Sequence, residues 1–152
     1  MRRKDKEISD QSEIEAVIKK SNVCRLAMID GDRPYIVPLC FGYQNNVLYF
    51  HGASKGRKID LLRENPNVCF ELDLITEIVE GENACKWSVK YQSVVGFGRA
   101  FLLESVDEKI KGLSIIMSQY SGRTYQFPED KLGATAVFKV EIDSMTGKQS
   151  GF

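Results

Sequence analysis

The sequence is poor in the residues that most enzymes use for chemistry. Among 152 residues there is one histidine, one tryptophan and four prolines, and 21 basic residues balance 21 acidic ones. A single histidine leaves no second imidazole to pair with a serine or cysteine nucleophile or to build a multi-histidine metal site. With no net charge there is no global field to recruit nucleic acid or an anionic membrane surface, so any anion must be held by a local cluster. The four cysteines, Cys24, Cys40, Cys69 and Cys85, lie far apart in apolar runs without metal or redox spacing. They read as small buried hydrophobes in a reducing compartment. No apolar run approaches the ~20 residues of a membrane span, and the N-terminal MRRKDKEISDQSEIE is charged throughout. The expectation is a soluble, cytoplasmic protein with no nucleic-acid or membrane partner. Arg2, Arg3, Lys4 and Lys6 read as part of a solvated tail.

The length suits one domain, 1–152, with flexible ends at 1–8 and 149–152. Ser12 and Glu15 have capping-box spacing before Ile14, Val17 and Ile18, which share one helical face to about Lys20. Strand patterns follow at Val23–Ile29, Pro34–Tyr43 and Val47–His51, joined by Asp30-Gly31 and Gln44-Asn45-Asn46 turns. Pro34 and Pro38 cannot donate ladder hydrogen bonds, which puts that strand partly at an edge. A helix is expected from Arg57 to Glu64, then strands over Asn67–Val79 and Ala84–Leu103, the latter bent at Gly96 and Gly98. Asp107 is placed to cap a helix carrying Ile110, Leu113, Ile116, Met117 and Tyr120. Ala134–Ile142 reads as the last strand and MTGKQSGF as an irregular tail. Six strand patterns joined mainly by hairpin turns point to a mainly β protein, a six-stranded antiparallel barrel with peripheral helices. The alternating βαβ pattern and glycine fingerprint of a dinucleotide fold are missing.

Chemistry concentrates between Pro34 and Pro66. A strand ends at His51-Gly52, a loop carries Ser54 and Lys55, and a helix opens with Arg57 and Lys58. Cations at the positive end of a helix are mildly unfavourable unless an anion sits there, and the arrangement offers a phosphate both cations and N–H donors. His51 reads either as a half-buried strand-end residue or as a proton donor or axial ligand beside a cofactor. In KYQSVVGFG, Gln92 and Ser93 offer hydrogen bonds and the glycine allows close approach to a planar ring, although a plain barrel strand would look the same.

The segments CRLAMIDGDRPYIVPLCFGY, LYFHGASKGRKIDLLRENPNVCFEL, YQSVVGFGRA and MTGK resemble the flavin-binding split-barrel superfamily related to pyridoxamine 5'-phosphate oxidase, and within it the nitroimidazole-resistance branch. The resemblance implies a Greek-key split barrel that forms a homodimer with flavin at the subunit interface. It implies that Ser54, Lys55, Arg57 and Lys58 bind the FMN phosphate, and that Tyr35, Ile36, Val37, Pro38 and Leu39, with His51 and Gly52, line the ring and ribityl chain. Gln92, Ser93 and Val94 would complete the site from the partner subunit, and Lys148 would close over the cofactor. The chain ends in QSGF, without the tryptophan and arginines with which pyridoxamine-phosphate oxidases bind their substrate. The implied activity is therefore an FMN-dependent reductase that takes electrons from NAD(P)H and passes them to small electron-poor acceptors such as nitroaromatics, with His51 as the tentative catalytic group and no metal. FAD in place of FMN, or a non-enzymatic haem- or flavin-binding role, remain the alternatives.

Overall fold

A computed structural model describes residues 3–152. Met1 and Arg2 lie outside the described residues. In chain order the elements are β1 (Glu7–Ile8), α1 (Gln11–Lys20), β2 (Cys24–Asp30), β3 (Arg33–Leu39), β4 (Phe41–Gln44), β5 (Val47–Ala53), α2 (Arg57–Glu64), β6 (Asn67–Val79), β7 (Ser88–Leu103), α3 (Val106–Tyr120), α4 (Glu129–Leu132) and β8 (Thr135–Ser150). Short 3-10 turns sit at Lys4–Lys6 and Ala84–Lys86. Among the described residues no helix is long and apolar enough to cross a membrane.

All strands are antiparallel and form one sheet in the order β3-β2-β6-β7-β8-β5-β4, with β1 added to β8. The two end strands, β3 and β4, are separated in sequence by Cys40 alone, and no ladder joins them. The sheet curls into a split barrel that is not closed by hydrogen bonds. Eight strands replace the expected six because the strand pattern at Pro34–Tyr43 breaks at Cys40 into β3 and β4, and because Glu7–Ile8 pairs with Lys148 and Gly147. Both prolines fall on β3, at the end of the sheet, where a missing donor costs least.

Of the two residues that can cap α1 by their sequence position, Asp10 and Ser12, it is Asp10 that does so, accepting from the Ser12 backbone N–H at 2.8 Å. One local signal resolves differently from the sequence reading. Ser105, not Asp107, caps α3: its Oγ accepts from the Glu108 N–H at 3.2 Å and donates to the Glu108 carboxylate at 2.9 Å. The larger correction is at the C-terminus. Residues read as an irregular tail continue β8 to Ser150, because Gly147 to Ser150 pair in register with Val94 to Tyr91. Turn residues in MTGKQS weaken the strand signal locally, but a ladder thirteen residue pairs long outweighs it. Ile8, expected in a flexible end, is 2% exposed.

Phe41, Phe50, Phe70 and Phe138 are fully buried, and the rings of Phe50 and Phe138 stack at 5.1 Å. β7 can bend over this core because its inward positions include Gly96 and Gly98, and its register against β8 shifts between Phe97 and Gly98. A Cβ on Gly96 would come within 2.6 Å of the Phe70 ring and 2.7 Å of the Ser144 carbonyl oxygen. Of the cysteines, Cys24 is buried and Cys69 partly so, while Cys40 and Cys85 are exposed, and all four are free thiols. Cys40 turns outward at the break between β3 and β4. Replacing Gly96 by valine should cost about 1–3 kcal/mol by overpacking, read as a lower denaturant midpoint at unchanged slope. An unaltered midpoint would show that β7 can move away from Phe70.

Candidate functional site

β5 runs out of the barrel at Gly52-Ala53 and α2 begins four residues later. The loop between them is tied back by the Ser54 N–H, which donates to the Ala134 carbonyl at 3.1 Å. Gly56 occupies the N-cap of α2 with φ +127° and supplies no capping side chain, so the first-turn N–H groups of Arg57 and Lys58 have no intrahelical acceptor. That leaves a helix N-terminus with donors to spare beside two cations.

The two cations are placed differently. The Lys58 ammonium folds back over the strand end, 2.8 Å from where a Cβ on Gly52 would lie and 6.0 Å from the centroid of the Phe138 ring. Any side chain at 52 would push it away. Burial lowers the Lys58 pKa, and among the described residues no carboxylate lies within 4.0 Å of its nitrogen. A half-buried cation without a counter-charge is costly unless something anionic is to be bound. Arg57, by contrast, is ion-paired to Asp30 at the β2–β3 turn and lies 5.3 Å over the Tyr35 ring. Asp30 read in the sequence only as a turn residue; its role shows once the hairpin is folded against α2. Lys55 is exposed on the loop.

His51 is on β5 opposite Val137, beside Lys58 in charge if not in direction. Partial burial first, and then the Lys58 charge, hold its imidazole below the usual value of 6.5, so it is neutral at pH 7 and can donate one hydrogen bond and accept another. On β3, Tyr35, Val37 and Leu39 pack against the core, whereas Ile36 is 58% exposed and Pro38 also faces outward. Ile36 begins an apolar row across four strands, Ile36–Ala27–Cys69–Phe97, set by register. Beside it lies a 440 Å³ groove lined by Ala27, Ile29, Pro34, Cys69 and Phe97 among others.

The second expected wall is elsewhere. Gln92 donates to the Gln149 side-chain oxygen at 3.2 Å, Ser93 pairs with Lys148, and the Lys148 ammonium lies 5.8 Å from the Tyr91 ring centroid. Val94 is completely buried, so only its backbone can face a ligand. His51 sits opposite residue 137 of β8 and Ser93 opposite residue 148, eleven residues further on. At ~3.3 Å per residue that is about 36 Å of extended chain. The two groups are therefore set toward opposite ends of β8. Among the described residues no cluster of His, Cys, Asp or Glu is placed to hold a metal ion. The donor set at Gly52, Ser54 and Lys58 fits a phosphate, and the exposed apolar row fits a flat ring or another apolar face.

Comparison with known proteins agrees with this geometry. Residues 10–149 match the family model described as pyridoxamine 5'-phosphate oxidase. The chain belongs to this family. It is 34% identical to a candidate 5-nitroimidazole antibiotic resistance protein from Bacteroides thetaiotaomicron, whose crystal structure superposes with a TM-score of 0.85 over 93% of this chain and 85% of that one. An uncharacterized protein of Rhizobium meliloti (strain 1021) is 30% identical over 93% of both chains. The fold is also that of the flavocytochrome Anf3 from Azotobacter vinelandii, with a TM-score of 0.84 at 23% identity over 96% of this chain and 70% of that one.

The lone histidine makes its environment measurable. Because its folded pKa lies below the unfolded value, the unfolded chain binds the extra proton, and stability falls as pH drops through about 6.5 toward the lower folded value. The single imidazole signal in a proton NMR titration should have its midpoint below 6.5, and His51→Gln should flatten the stability profile between pH 7 and 5. A midpoint at or above 6.5 contradicts the arrangement of His51 and Lys58.

Proposed function

We propose that the chain, acting as one domain, is a homodimeric flavoprotein that binds FMN, as such or as the flavin half of FAD, and reduces small electron-poor acceptors such as nitroaromatics at the expense of NAD(P)H. The observation that carries this reading is the Lys58 ammonium, half-buried over side-chain-free Gly52 with no carboxylate partner among the described residues. Lys58, the Ser54 hydroxyl and the free N–H groups of α2 receive the phosphate, and Arg57 adds a second cation if it shares its guanidinium between Asp30 and the ligand. Lys55 contributes only long-range charge.

Ile36 and Pro38 provide an apolar wall for the ring, with Tyr35, Val37 and Leu39 fixing their direction from inside the barrel. The 36 Å of strand between His51 and Ser93 supports completion of each site by a second copy, which brings Gln92, Ser93, the Val94 backbone and Lys148 to the flavin held by the first. The bound flavin supplies hydride chemistry. The chain's own part is to exclude water with the Ile36–Phe97 row and to hold the acceptor near His51, whose neutral imidazole can donate a hydrogen bond to it. The similarity to the candidate nitroimidazole-resistance protein favours the nitroaromatic class of acceptor.

Three measurements test this. Replacing Lys58 by alanine removes a charge-assisted contact worth about 1.5–3 kcal/mol and should weaken FMN binding about 10- to 100-fold in a fluorescence titration; unchanged affinity would remove Lys58 from the site. Substituting Phe97 by aspartate puts a charge in the apolar row and should give a monomer by sedimentation that also fails to hold flavin. A monomeric variant with normal flavin affinity contradicts the shared site. His51→Ala should keep FMN and lose most turnover with a nitroaromatic acceptor, whereas a Soret band in the purified protein would favour haem over the whole reading.

A further inference from the structure

β6 and β7 run on past the barrel as a two-stranded arm. β7 keeps β8 as a neighbour only as far as Tyr91, and from Lys90 to Ser88 its ladder partner is β6 alone, at Glu77 to Val79. A ribbon of two strands is marginal in water by itself. This one nevertheless carries Ile75, Ile78, Trp87 and Val89 at 68%, 65%, 52% and 37% exposure. Those side chains are aimed. Val89 and Tyr91 share a face of β7, and Ile78 and Ile75 lie opposite them. In a regular strand Ile75 and Ile78, three residues apart, would face opposite ways. The register shift at Thr76, whose hydroxyl donates to the Lys90 carbonyl at 3.0 Å, turns both to the same side. The alternation carries that face back along β7 through Ser93 and Val95 to Phe97, in the exposed apolar row.

We infer that the arm is a clasp for a second copy of this chain, its Ile75–Ile78–Val89 face laid across the end of that copy that carries the β5–α2 loop. Three observations choose a second copy as the occupant. The arm's face is continuous with the apolar row at which the proposed dimer meets. Its direction fits as well. The arm continues β7 beyond Ser93 by five residues to Ser88, about 17 Å of strand. With Ser93 of one copy at the Lys58 end of the other, that length passes over the loop holding Ser54 and Lys55. Charge is complementary there. Glu77 and Glu80 on the arm are exposed with no cation within 4.0 Å among the described residues, and Lys55 on the loop is exposed with no carboxylate within that distance. The inference rests on the two-copy reading above and adds to it: the arm, a part of the chain outside the barrel, fastens the dimer and covers its partner's phosphate loop.

Trp87, next in the alternation after Val89, is the only tryptophan in the chain, so its fluorescence reports the arm alone. Acrylamide quenching compares the wild-type dimer with N-acetyltryptophanamide as the fully exposed reference. Sedimentation gives the dimer dissociation constants of the wild type, Ile78→Asp and Ile78→Val. Ile78 faces solvent in the single chain, and circular dichroism checks that its variants fold. Trp87 should be quenched several-fold less readily than the reference. Ile78→Asp should raise the dissociation constant at least about tenfold, because a two-fold contact buries the added charge twice, whereas Ile78→Val should leave it nearly unchanged. A wild-type dimer whose Trp87 is quenched as readily as the reference, or whose affinity survives Ile78→Asp, overturns the clasp and leaves the shared flavin site standing. A wild type that sediments as a monomer overturns the two-copy reading and this inference with it.

Discussion

The pairing of β8 with its neighbours is the constraint on which everything else depends. This one strand holds β5 along its first half, β7 along nearly its full length, and β1 at its end. Its first half therefore fixes where β5 delivers His51 and Gly52, and its second half fixes Gln92 and Ser93. The register shift near Gly98 lets so long a ladder bend around the phenylalanine core. Hydrogen bonds alone would not hold such a shape; the stacked Phe50 and Phe138 rings, one from each strand, tie the curl to buried apolar area.

Charge is handled locally, as a chain without net charge requires. Two adjacent cations at the start of α2 have opposite fates. Arg57 is neutralised by Asp30 and rests on Tyr35, while Lys58 is drawn over a glycine beneath which the aromatic core lies. Gly52 is essential here because it leaves space above the strand that any Cβ would fill. Partial burial first, and then the same ammonium, lower the pKa of His51, so a cation proposed to bind a cofactor also bears on the protonation of the residue proposed to act beside it.

Much of this was readable in the sequence. The β-rich pattern, the turn at Asn45-Asn46, both residues of which have positive φ, and the α2 boundaries follow from local chemistry, as does the strand at Asn67–Val79. The Ser54–Lys58 cluster stood out as cations at a helix start, and the family resemblance added which phosphate it would hold. Long-range facts were not readable. Nothing local distinguishes Arg57 from Lys58, since their difference comes from Asp30, 27 residues away. The strand character of the C-terminal residues depends on a partner more than fifty residues earlier in the chain. That Val94 turns its side chain inward and leaves only its backbone for the proposed wall is likewise a matter of register.

The central claim is that a site is assembled from two copies, with the Lys58 end of one facing the Ser93 end of another. Subunit mixing tests it most directly. Lys58→Ala protein and Ser93→Trp protein, each weakened in flavin binding, are dissociated, mixed and reassociated, and bound flavin is counted at a concentration that fills the wild-type site but little of either variant alone. The account predicts that mixed dimers regain one intact site each, so that flavin binding returns on mixing. A mixture that binds no more flavin than its two components would show that Lys58 and Ser93 do not meet across subunits.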